Sequence, residues 1–298
     1  MLVVILLLGC YRYFQSRQSS NTTVMSFKSQ RTVGNKQSLK DRDGKINSSF
    51  KSSLQRVSQS EPIFKDPGKK ETLCGTTNSL VHHSGLVKIL QIKNLKRHGI
   101  FFQISQTGKT LGWVNAKGFK PALKFILPYQ YCSQFYPSPA DDACELAALK
   151  MVLSVQGKAT NVNLRQMVQS VPRSNKPWRG YTHNPYRYGS HAELYPNMLV
   201  KCAKSYGASA KDITGFTKRQ LIQEIQHGNG IVVDGAYMMK KPGSVHSISL
   251  LGYKPGYFYF AEPFARHSDS PKTGWVQEDR AMRIFGASIR NKRAMVVD

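Results

Sequence analysis

The chain has 298 residues, 40% of them hydrophobic, with 43 Lys and Arg against 17 Asp and Glu and a formal net charge of +26. That length allows two modest domains beside a polar leader, and the charge makes polyanions the expected neighbours. No recognition-helix pattern, zinc-finger spacing or RNP-type aromatic motif accompanies the charge, which argues against specific nucleic-acid binding. Phosphate-cradling glycine loops are absent, His82-His83 has no second cluster at ligand spacing, and no His-Glu-x-x-His occurs, so neither cofactor nor metal is expected.

The chain opens on Met1-Leu-Val-Val-Ile-Leu-Leu-Leu-Gly9-Cys10. This apolar run is too short to span a bilayer and resembles the end of a secretory signal, although a basic stretch does not precede it. A true start upstream would explain that. Leu7-Leu8-Gly9-Cys10 also resembles a lipobox, which makes Cys10 a candidate acylated anchor and the expected tie to a membrane. Export follows from either reading. Residues 11–70 are rich in Ser, Gln, Asn, Thr and Lys; up to residue 70 there are thirteen Lys and Arg against four Asp and Glu. Such a segment cannot bury enough apolar surface to offset its ordering entropy, and it is expected to be a disordered tether with at most short helices around Ser38–Val57.

Residues 71–125 carry an all-β pattern. Leu86–Leu90, Gly99–Ile104 and Thr110–Val114 read as short strands, separated by turns at Asn94–His98 and Gln106–Lys109. Leu111-Gly112-Trp113-Val114 followed by Lys117-Gly118-Phe119 resembles the GW-type SH3-like modules of Gram-positive surface proteins. The resemblance implies attraction to lipoteichoic acid or another anionic wall polymer, with Gly112 and Trp113 as the wall-binding pair; the competing reading makes Trp113 a core residue. Only one copy is present, so binding is expected to be weak and sensitive to salt.

Ser138-Pro-Ala-Asp141-Asp142-Ala-Cys144-Glu145 reads as a turn delivering a thiol onto the first turn of a helix. Asp141 or Asp142 is suited to cap that helix, and Glu145 stands where a capping box with Asp142 requires it. Leu146, Leu149, Val152 and Leu153 recur at helical spacing and predict one apolar face. The positive end of a helix macrodipole favours thiolate, so Cys144 is a candidate nucleophile; a small buried hydrophobe is the bland alternative. Further helices are expected at Leu164–Val171, Pro196–Tyr206 and Lys218–Gln226, with Cys202 in the core. Asn175 to Glu193 reads as a long loop in which Trp178, Tyr181 and Tyr188 are candidate groove residues.

Strands are expected at Gly230–Val233, Val245–Gly252, Tyr257–Ala261 and Arg293–Val297. His246, Ile248 and Leu250 share one face of theirs. If the turn at Lys254-Pro255-Gly256 has three residues, His246 lies opposite Phe264 and Glu262 is its diagonal neighbour; a two-residue turn flips the parity and separates them. Cys, His and carboxylate in this order suit nucleophile, base and orienting group. His183, His191 and His267 are rival bases. Of the five cysteines, Cys74 and Cys132 are conceivable disulfide partners.

From Leu127 onward the chain resembles the papain-like cysteine peptidases related to the bacteriocin-leader (double-glycine) processing enzymes, and more closely their stand-alone secreted relatives in Gram-positive bacteria. The resemblance rests on Leu127-Pro128-Tyr129 with Gln134, the Cys144-Glu145 helix, Gln220 to Val233, His246 before Leu251-Gly252-Tyr253, and Glu262-Pro263-Phe264. It implies Cys144 as nucleophile, His246 as base, Glu262 as the orienting acid where the family usually has Asp or Asn, and Gln134 as oxyanion donor. The expected fold class is α+β: a helical nucleophile half plus an antiparallel sheet over residues 126–298, preceded by a small SH3-like β-barrel. The expected function is an extracellular, cell-wall-associated thiol peptidase acting on a peptide or protein. A papain-like peptidoglycan hydrolase and a non-catalytic wall adhesin on a peptidase scaffold are the alternatives.

Overall fold

The computed structural model describes residues 52–67, 69–82, 85–95, 98–241, 246–266, 271–287 and 292–298. The signal or lipobox segment with Cys10, the tether up to residue 51, His83 and the rival base His267 lie outside them.

The N-terminal module is a seven-stranded antiparallel sheet. In chain order it holds β1 (Ser53–Val57), β2 (Pro62–Phe64), β3 (Leu73–Thr76), a short helix α1 (Asn78–His82), β4 (Leu86–Leu95), β5 (Gly99–Gln106), β6 (Lys109–Asn115) and β7 (Phe119–Pro121), arranged β3-β2-β6-β5-β4-β1-β7. Two of these strands correct the sequence reading. Ser53–Val57 and Pro62–Phe64 fall in the stretch assigned to the tether, yet β1 joins β4 to β7 and β2 pairs with β3 and β6. Their apolar residues are few, but Val57 and Ile63 enter the module core with Val87, Ile89, Ile104 and Val114. That contribution comes from long-range partners, which composition does not reveal.

The Thr107-Gly108 turn between β5 and β6 has positive φ at both residues (46° and 76°), as a two-residue hairpin turn with right-handed strands requires. Farther along β6, the pairing shifts at Leu111, and Gly112 adopts φ 137°. A Cβ there would stand 2.7 Å from both Phe64 O and Ile63 Cγ2, so β2 can cross only a glycine.

The second region holds β8 (Phe125–Ile126), α2 (Cys144–Val155), α3 (Leu164–Gln169), α4 (Pro196–Ser205), β9 (Ala210–Asp212), α5 (Lys218–Gln226), β10 (Gly230–Gly235), β11 (His246–Lys254), β12 (Tyr257–Glu262), β13 (Lys272–Gln277), α6 (Glu278–Ala287) and β14 (Ala294–Val297). Its antiparallel sheet runs β13-β12-β11-β10-β14-β9, with β8 beside β11. This is an α+β fold. The helices α3 and α5 begin with capping boxes, Asn163 with Gln166 and Thr217 with Gln220. The strands β9 and β13 and the helix α6 are additions to the sequence reading, although α6 buries Ala281, Ile284 and Phe285 at helical spacing.

Helix α2 is buried along nearly its whole length rather than on one face. Of its twelve residues only Lys150 is not buried. Ala147 and Ala148 explain this, because their small side chains let the helix lie close to the sheet. Ser249 Oγ on β11 donates to Ala148 O at 3.0 Å. A helix so enclosed holds its first residue rigidly.

Candidate active site

Cys144 is the first residue of α2 and is 9% exposed. The expected capping geometry is absent: the N-cap is Ala143, and no side chain caps the helix. Both acids have other work. Asp142 Oδ2 accepts from Ser190 Oγ at 2.9 Å and Ala192 N at 2.8 Å, pinning the long loop to the helix start. Glu145 is fully buried and accepts from Leu194 N at 3.3 Å and Tyr181 Oη at 3.5 Å, with the Cys144 thiol 3.6 Å away. The two carboxylates therefore bind the 181–194 loop to the start of α2 from both sides, a role that helix-start statistics concealed.

His246 and Glu262 meet by a route the sequence did not show. The hairpin turn has two residues, Pro255 and Gly256, with Lys254 opposite Tyr257. Pro followed by Gly at φ 83° suits a type II turn. A two-residue turn alone would have sent His246 to the wrong face. Between Leu250 and Gly252, however, the pairing shifts by one residue: Gly252 faces Tyr259 and Leu250 faces Phe260. The bulge at Leu251 restores the parity, and Ser249 opposite Ala261 carries the register on toward His246 and Phe264, whose rings lie 6.3 Å apart. Strand β8 passes so close to the bulge that a Cβ on Gly252 would lie 2.6 Å from Phe125 O.

The imidazole Nε2 of His246 bonds Glu262 Oε1, and both side chains are buried. Glu262 also accepts from Met238 N at 2.8 Å and Phe264 N at 2.9 Å. Burial pushes this carboxyl up, but the charge of His246 and the three hydrogen bonds outweigh it and hold it below the ordinary carboxylate range. The longer Glu arm thus spans to the imidazole while its second oxygen is fixed. Met238 and Met239 adopt φ 52° and 53°, uncommon for residues with side chains, and this local twist aims the Met238 N–H at the carboxylate. No sequence signal marks those methionines. Tyr131 Oη adds a bond to Glu262 O at 2.5 Å.

Gln134 ties the halves together. Its N–H donates to Pro263 O at 3.0 Å, its carbonyl accepts from Ala140 N at 2.9 Å, and its Nε2 donates to Asp141 O at 2.5 Å. One amide hydrogen is thereby committed, and the side-chain oxygen Oε1 is buried without a hydrogen-bond partner among the described residues. Thus the residues just before Cys144 are linked through Gln134 to the residue after Glu262.

Residues 126–281, which include all four of these side chains, match the model of the Peptidase_C39 like family. The chain belongs to that family. Residues 50–120 match the GW (Gly-Tryp) dipeptide domain, so this C39-like peptidase has a GW domain ahead of its peptidase domain. Among solved structures, a protein described as a C39-like peptidase from Bacillus anthracis is 19% identical, with a TM-score of 0.47 over 59% of this chain and 97% of that one. UfSP from C. elegans is 12% identical, with a TM-score of 0.35 over 60% of this chain and 34% of that one. No curated protein matches the chain.

The other candidate residues of this C39-like peptidase separate clearly. His183 and His191 are exposed, whereas His246 is buried against Glu262. Tyr181 is buried beneath the loop and Trp178 packs against Tyr195, so of the three proposed groove aromatics only Tyr188 joins the surface beside His246. Cys74 and Cys132 are free thiols, which overturns the conceivable bridge, and Cys202 is buried as expected. Trp113 is 6% exposed and pairs with Phe64 across β6 and β2. Gly112 and Trp113 thus both pack against β2 inside the GW domain. Among the described residues no three His, Cys, Asp or Glu converge as a metal site, and no helix is long and apolar enough to cross a membrane.

Proposed function

We propose that this C39-like peptidase is a thiol hydrolase of peptide bonds, with Cys144 as nucleophile, His246 as base, Glu262 as orienting acid and Gln134 as oxyanion donor. The observation that carries it is the buried His246–Glu262 pair, held by β11 and β12 against the helix that begins at Cys144. With Nε2 committed to Glu262, Nδ1 takes the thiol proton. The thiolate attacks the carbonyl carbon, and the oxyanion accepts hydrogen bonds from Gln134 Nε2 and the Cys144 backbone N–H. The imidazolium then protonates the leaving amine, and water attacks the thioester to release the acid and restore the thiol. The bonds that fix Glu262 beside His246 favour this reading over an inert scaffold. The GW domain supports association with the cell wall. In this reading the wall contact is made by surface cations attracted to an anionic polymer such as lipoteichoic acid, and the enzyme works outside the cell.

The test is iodoacetamide labelling of the full chain across pH 5 to 9, with each cysteine read by mass spectrometry. Burial pushes Cys132 and Cys202 up to about 11, so both should stay unlabelled near neutrality. Cys144 should outpace the exposed Cys74, most clearly below pH 7, and His246→Ala should abolish that lead. A Cys144 no faster than Cys74 would refute the assignment.

A further inference from the structure

Between Glu145 and Glu193 the chain carries seven Lys and Arg and no Asp or Glu. Five of the seven, Arg165, Arg173, Lys176, Arg179 and Arg187, are exposed, and none of the five forms an ion pair among the described residues. The GW domain differs, because Lys69 and Lys93 meet Asp66 there and Lys117 meets Glu61. The acids that flank the stretch leave its charge in place. Asp142 accepts from Ser190 and Ala192, Glu145 is buried, and Glu193 pairs with Arg293. A run of like charges without counter-charges repels itself, and a bound polyanion relieves that repulsion.

The fold gathers these cations around Tyr186. The Arg165 guanidinium carbon stands 4.6 Å from its ring and that of Arg173 5.6 Å, and Arg187 follows it in the chain. Among the described residues the three arginine side chains make one hydrogen bond, from Arg173 Nη1 to His183 O at 2.6 Å. Tyr181 N donates to Pro172 O at 2.8 Å and Ser174 N to Tyr181 O at 3.0 Å, which closes a loop carrying Lys176 and Arg179. Beside Arg173 an open cleft of about 630 Å³ is lined by Ser174, Asn175, Thr182 and His183. Ser174 Oγ accepts from Lys176 N at 3.1 Å and has no acceptor for its own proton among the described residues. The stretch is anchored through Tyr181 to Glu145 and through Ser190 to Asp142, so it adjoins the start of α2.

We propose that this part of the peptidase domain, centred on Arg165, Arg173 and Arg187, binds the phosphodiester backbone of an anionic wall polymer, with Lys176 and Arg179 extending the contact. The proposal rests on the wall association inferred above, and it places the polymer on the peptidase domain rather than on the GW domain. A guanidinium can bond two oxygens of one phosphate, and repeated phosphates match repeated cations. A polymer held here lies along the loop that is tied to the helix of Cys144.

The test is calorimetric titration of the full chain with poly(glycerol phosphate) at low and moderate salt. Two triple variants with equal loss of charge are compared. One joins Arg165→Gln, Arg173→Gln and Arg187→Gln; the other joins Lys65→Gln, Lys109→Gln and Lys120→Gln in the GW domain. The arginine triple should bind about tenfold more weakly and depend less steeply on salt, because fewer counterions are released. The lysine triple should stay within about threefold of the native chain. Melting temperature and the Cys144 alkylation rate report whether each variant is folded. If the arginine triple is not, Arg165→Gln and Arg187→Gln alone should each weaken binding about threefold, more than any of the three lysine changes alone. Equal losses at the two places would overturn the proposal and leave wall association standing. No binding by the native chain would sink both. A single-stranded DNA with the same number of phosphates, bound as tightly through the same arginines, would overturn the choice of occupant.

Discussion

At the scale of single residues, the site depends on one carboxylate whose charge is stabilised by its partners. Because folding holds Glu262 below its ordinary value of 4.5, its contribution to stability is present above that value and is lost as pH falls through the lower folded value. Glu262→Gln should therefore destabilise the protein at pH 7 by roughly 1–3 kcal/mol, since an amide cannot accept at both oxygens. The difference from the native chain should shrink as the pH is lowered below about 4.5. Urea unfolding at pH 7 and pH 3.5 measures both quantities, and an equal deficit at the two pH values would show that ionisation of Glu262 is not what stabilises the pair. Activity should fall with the same substitution, because the imidazole loses its charged orienting partner.

At the scale of elements, the parity of one strand decides whether a site exists. The bulge at Leu251 compensates for the two-residue Pro255-Gly256 turn, so deletion of Leu251 should leave the hairpin able to form but turn His246 away from Glu262. Loss of the accelerated Cys144 alkylation, with far-ultraviolet circular dichroism nearly retained, is the expected result. Retained acceleration would mean that another residue takes the bulge. In the GW domain the corresponding device is Gly112. Ala at φ 137°, with Phe64 O 2.7 Å from its Cβ, must displace β2, and the cost should exceed about 1 kcal/mol. Emission from Trp113, which pairs with Phe64, should shift to the red as the strand separates. An unshifted spectrum and melting temperature would argue that β2 is not needed to cover it.

At the scale of the whole molecule, the GW domain packs directly on the peptidase domain. Leu54 of β1 and Leu86 of β4 belong to the peptidase core cluster, Lys88 Nζ donates to Asn229 Oδ1 at 2.9 Å, and Ser52 Oγ donates to His227 O at 3.2 Å. The β5–β6 turn meets the end of α2 so closely that a Cβ on Gly108 would lie 2.0 Å from Gln156 O, and one on Gly157 2.6 Å from Thr107 O. The helix carrying Cys144 is thus braced at its far end by the GW domain. Gly108→Val should break this joint and split a single thermal unfolding transition into two. One unchanged transition in calorimetry would show that the joint contributes little to cooperativity.

Much of this molecule was legible in its sequence because the evidence was local. Helical apolar spacing marked α2, period-two alternation marked β4 to β6 and β10 to β12, and the ordered set of Gln134, Cys144, His246 and Glu262 identified the family. Short-range chemistry also misled where a residue could serve two masters: Asp142 and Glu145 have the spacing of a cap, but they bind a loop some fifty residues away. The tertiary structure alone decided the partners of those acids, the bulge that returned His246 to its face, the left-handed Met238 that donates to Glu262, and the strands within the assumed tether. Each depends on groups far apart in the chain, whose pairing is set by burial and hydrogen-bond satisfaction across the fold, and neither quantity is written in any local window of residues.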